Sequence, residues 1–129
     1  MSISSRRKTK ELQDVLLPKR QKEIQEICGG TVEFDVDWES FGDDVNALIL
    51  LDRSTCGDIV NALKRICTDE LGKKAVRESL KTILLGRAGS ESDKVVKFDG
   101  GIFEVRLAHR ESMPQYVPGE FEDVLDKAL

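Results

Sequence analysis

The sequence predicts an α+β fold, with helices on one face of a largely antiparallel sheet of about four strands at 31–38, 81–86, 94–98 and 102–109. Three observations carry that expectation. From Thr31 to Glu39 apolar and acidic residues alternate without a break, which is the period of a strand. Two more runs of strand-like composition flank Asp99-Gly100-Gly101, the signature of a hairpin. Elsewhere apolar residues recur at i, i+3 and i+4, the stripe of an amphipathic helix.

Leu12, Val15 and Leu16 give the first helical stripe, from about Ser5, with a basic far side. Pro18 is expected to end or kink that helix. Ile24, Ile27 and Cys28 resume the spacing, and Gly29-Gly30 supplies the left-handed residue that closes a helix C-terminus. In the strand that follows, Val32, Phe34, Val36 and Trp38 share one side and Glu33, Asp35 and Asp37 the other.

The run from Asp43 to Asp52 suits a buried strand or a helix. Helix is preferred, because Asp43 and Asp44 can cap it and its Ala and Leu residues are good helix formers. A separate helix is expected to start near Ser54 or Thr55, with Asp58 completing a weak capping box and Ile59, Ala62, Leu63 and Ile66 as its stripe. Thr68-Asp69-Glu70 opens another through Leu71, Ala75, Val76 and Leu80, in which Gly72 costs ~1 kcal/mol relative to alanine.

Residues 81–86 form the second strand, and Gly86 to Asp93 a polar loop. For the hairpin, a two-residue Gly100-Gly101 turn sets Phe98 opposite Phe103, Val96 opposite Val105 and Lys97 opposite Glu104. An Asp99-Gly100 turn would place Phe98 opposite Gly101 and waste a core pair. After an irregular stretch from Arg110 to Gly119, Phe121, Val124, Leu125 and Ala128 define a closing helix.

The 129 residues are expected to form one domain, 1–129, burying roughly two thirds of the unfolded surface. The first ten residues are a basic arm whose order the sequence leaves open. Residues 1 to 25 hold seven bases against three acids, a net of +4, so the overall −4 leaves −8 on the remainder. An acidic body argues against nucleic acid as the main ligand, since phosphate binding rests on clustered Lys and Arg. No stretch approaches the ~18 apolar residues of a membrane span. Cys28, Cys56 and Cys67 lack zinc-site spacing and read as free thiols, and without an apolar secretory segment the expected setting is cytoplasmic.

Cys56, in the opening turn expected of a helix, is a candidate thiolate, yet the sole histidine, His109, is far along the chain. Glu33, Asp35, Asp37 and Glu39 offer oxygen ligands for a hard cation, with Asp43 and Asp44 nearby. Alternate strand residues are ~6.5–7 Å apart and the turn glycine of a calcium loop is missing, so neither metal nor cofactor is expected.

The leading expectation is a non-enzymatic protein-interaction domain, inhibitor-like or adaptor-like. It would bind a basic partner through Glu33, Asp35, Asp37 and Glu39, with Tyr116 in its proline-flanked loop as a further anchor. The competing expectation is neutralisation of those acids within the sheet by Lys97, Arg106 or Lys81. The alternative function is a small enzyme or ligand-binding domain with a pocket between helices and sheet near Cys56, His109 or Tyr116. Oligomeric state is not legible.

Overall fold

The computed structural model describes residues 2–109 and 119–129. Its helices are α1 (Ile3–Glu11), α2 (Leu17–Cys28), α3 (Val45–Leu50), α4 (Gly57–Ile66), α5 (Glu70–Ser79) and α6 (Glu120–Ala128). The strands are β1 (Glu33–Val36), β2 (Thr82–Arg87), β3 (Val95–Asp99) and β4 (Ile102–Leu107). The fold is α+β, with four strands in the order β1-β2-β4-β3.

The sheet is mixed and mostly parallel, which corrects the largely antiparallel sheet expected from the sequence. β1 pairs parallel with β2, and β2 parallel with β4, leaving β3–β4 as the one antiparallel pair. The reason lies in the connections. Between β1 and β2 the chain runs through α3, α4 and α5, the long crossover that returns a chain to the same end of a sheet. From β2 it passes to the far edge, forms β3, and turns back so that β4 fills the gap.

The hairpin register agrees with the sequence expectation pair for pair: Phe98–Phe103, Val96–Val105 and Lys97–Glu104. Gly100 and Gly101 both take positive φ, at 57° and 84°, as a two-residue turn matched to strand twist requires.

Adjacent strands place Phe34, Ile83, Phe103 and Phe98 in one row and Val36, Leu85, Val105 and Val96 in the next. These rows face the helices. They join a core with Leu12, Ile24, Leu48, Leu51, Ile59, Leu63, Phe121 and Leu125. The opposite side of the sheet carries mostly polar residues and is left uncovered by the described helices.

Two π turns link helices that the sequence reads as separate or broken. Leu12–Leu16 joins α1 to α2, with the Leu17 N–H reaching the Leu12 carbonyl five residues back. Pro18 has no N–H to give and would crowd the carbonyl four residues earlier, and the widened turn lets the helix pass through it. Leu51–Cys56 joins α3 to α4 in the same way, so the helix expected to start near Ser54 or Thr55 instead continues from α3. Thr55 does not cap; it is buried and its hydroxyl meets His109.

At α3 and α5 the caps follow the sequence. Asp44 Oδ1 accepts the Ala47 N–H at 3.0 Å, and Asp69 Oδ1 the Gly72 N–H at 2.8 Å. Asp43 instead reaches across to α1. It accepts the Ser5 hydroxyl at 2.6 Å and the Ser2 backbone N–H, which together hold its carboxyl down at about 2. The start of the basic segment is thereby tied to the loop before α3.

Candidate functional site

Among the described residues β1 occupies a sheet edge, with β2 as its one strand neighbour. Its alternation sends Phe34 and Val36 toward the helices, half-buried, and leaves Glu33 and Asp35 exposed on the open side. Val32 just before it is buried, and Trp38 just after it is half-buried in a short 3-10 turn, Trp38–Phe41. Glu39 is exposed in that turn.

Register fixes what surrounds the acids. One row across the open face runs Glu33, Thr82, Ile102, Asp99, and the next Asp35, Leu84, Glu104, Lys97. A third row places Gly86, Arg106 and Val95 beyond them, beside Asp37. Five acids therefore face two bases on this side.

Both bases are committed. Arg106 Nε donates to Glu104 at 2.7 Å, and its Nη1 crosses β2 to donate to Asp37 at 2.9 Å. That crossing depends on Gly86, since a Cβ there would overlap the Arg106 guanidinium. Lys97 lies 3.5 Å from the other oxygen of Glu104. The hydrogen bond from Arg106 holds the Glu104 carboxyl below the usual range, and its bonds to Glu104 and Asp37 raise the Arg106 guanidinium further. Lys81 turns away and donates to the Arg77 carbonyl at 3.1 Å.

Neutralisation within the sheet thus reaches Asp37 and stops there. Glu33 and Asp35 form no ion pair with any described residue. Tyr116, the other expected anchor, lies outside the described residues. Of the three bases expected to neutralise the stripe, Arg106 reaches it, at Asp37 from two strands away, while Lys97 and Lys81 do not.

A cleft of about 220 Å³ lies along the same edge. Leu17, Pro18 and Gln21 of α2 form one wall, and Phe34, Val36 and Trp38 the other. Gln21 Nε2 donates to the Val32 carbonyl at 3.0 Å, fixing one end of that wall.

Cys56 and His109 are placed differently. The Cys56 thiol is fully buried, and burial pushes it up to about 12, with Asp52 adding in the same direction. A thiol held protonated is a poor nucleophile. His109 is 1% exposed, 5.3 Å from the Phe41 ring, and has φ 55°. Its Nδ1 lies 2.8 Å from the Leu107 carbonyl and its Nε2 2.8 Å from Thr55 Oγ1. A carbonyl only accepts, so Nδ1 carries the proton and Nε2 accepts from the threonine. Burial lowers the imidazole to about 4, so it is neutral at physiological pH and spans two elements as a structural tie.

A larger cleft, about 360 Å³, opens beyond the end of β2 beside Ser40, Arg87, Ala88 and Gly89. Arg87 is its natural anion handle. It is already held by Asp44 at 2.8 Å and by the Ala108 carbonyl at 3.2 Å. Among the described residues no group of three or more His, Cys, Asp or Glu side chains is arranged to hold a metal ion, and no helix is long and apolar enough to cross a membrane. Compared with known proteins, the chain matches no family model, no curated protein and no solved structure.

Proposed function

We propose that the chain is a protein-interaction domain that binds a basic partner through the open side of β1. One observation carries this reading: Glu33 and Asp35 stand exposed on an edge strand with no counter-ion among the described residues. Arg106 and Lys97 are the bases nearest in register, and Glu104 and Asp37 already hold them. The remaining field is negative. Such a field speeds encounter with a basic surface and repels anionic ones, and its effect weakens with salt.

Glu39, exposed just past the strand, extends the surface. Asp37 contributes less, because a partner must first compete with Arg106 for it.

Capture from source-cell extract tests the reading. A partner should be retained at low salt, released at high salt, and lost when Glu33 and Asp35 are changed together to Gln and Asn. Retention of the same partner by that variant, undiminished by salt, would sink it.

A further inference from the structure

The backbone of β1 has one free side. The Glu33 N–H donates to the Lys81 carbonyl at 3.0 Å and the Asp37 N–H to the Leu85 carbonyl at 2.8 Å. In a parallel ladder alternate residues bond to the same neighbour, so the main chain at Val32, Phe34 and Val36 faces away from β2. Gln21 takes the Val32 carbonyl. At Phe34 and Val36 no described group outside the strand takes the outward N–H or carbonyl.

We propose that this edge accepts an extended, basic segment of the partner as a fifth strand. The inference rests on the acidic-face reading above and adds how the partner is held. A strand laid beside Phe34 and Val36 presents alternate side chains to opposite sides of the sheet. Those on the open side meet Glu33 and Asp35, where lysine or arginine is complementary. Those on the other side enter the cleft, where Gln13 and Gln21 stand among Leu17, Pro18 and Trp38 and a side chain with both a methyl and a hydroxyl, such as threonine, fits. The recognised pattern is therefore basic residues in alternation with small residues of mixed polarity. Isolated edge strands risk indiscriminate pairing, and two unpaired acids with only four residues of strand restrict this one to a charged, short match.

The probe is a short peptide alternating lysine and threonine, compared with the same peptide N-methylated at every residue, which keeps the charge but leaves no N–H on either edge to pair. Amide exchange and chemical shifts are followed residue by residue at low salt. The expected result is exchange slowed about tenfold at Phe34 and Val36 on saturation, with the N-methylated peptide about tenfold weaker. If both peptides bind equally, with shifts at Glu33 and Asp35 but no slowing at Phe34 or Val36, the fifth-strand inference is overturned and the acidic-face reading stands. If neither peptide binds at low salt, both are overturned.

Discussion

At Gly72 a Cβ would overlap the Ile66 carbonyl oxygen, because the start of α5 folds directly against the end of α4. Helix propensity alone predicts that Gly72→Ala stabilises by ~1 kcal/mol. The contact predicts the opposite sign, a net loss of about 1–3 kcal/mol measured by urea unfolding, since the obstacle is backbone and cannot swing away. His109 offers a second test at this scale. Its folded value near 4 lies below the ordinary 6.5, so the unfolded chain takes up the proton first as pH falls. Its contribution is complete above about 6.5 and is lost as pH drops toward 4, amounting to about 3 kcal/mol. His109→Gln should flatten the stability profile across that window, and an unchanged slope would contradict a buried neutral imidazole.

Between elements, Gly86 lets Arg106 reach from β4 over β2 to Asp37 on β1. Gly86→Ala should displace the guanidinium, and Asp37→Asn should remove its countercharge, each costing up to about 1 kcal/mol for a partly exposed pair. Because both break one bridge, the double variant should lose less than the sum of the two, which a double-mutant cycle in urea measures.

The same scale explains what the sequence disclosed and what it withheld. The β3–β4 register was readable from Phe98, Val96 and the two glycines, because its determinants lie within a few residues of one another. The face of β1 was readable from strict alternation. Its neighbour was not, since alternation is the same in parallel and antiparallel pairs and the partner strand lies beyond three helices. The apolar run Ile83-Leu84-Leu85 in β2 was the available sign of a central strand with parallel neighbours. The turn at Leu12–Leu16 was hidden because Pro18 normally marks an end, and a π turn carries the helical stripe onward without a change in composition.

Among the described residues the helices cover one side of the sheet and leave the other open. Cys28, Cys56 and Cys67 all belong to the covered side and are buried. Burial raises all three thiols, so alkylation of the native protein should proceed only through opening and track its unfolding free energy. Rapid labelling of Cys56 under native conditions would contradict that burial.

The open side carries the central claim, which is about the place of the charge and not its total. Affinity for the captured basic partner should be compared at one ionic strength for the wild type, for Glu33→Gln with Asp35→Asn, and for Glu26→Gln with Glu78→Gln. The last pair removes equal charge from exposed helical positions. The account predicts weakening of about tenfold or more for the β1 variant and little change for the helical one. Equal weakening by both would mean that net charge alone attracts the partner, and would contradict a site on β1.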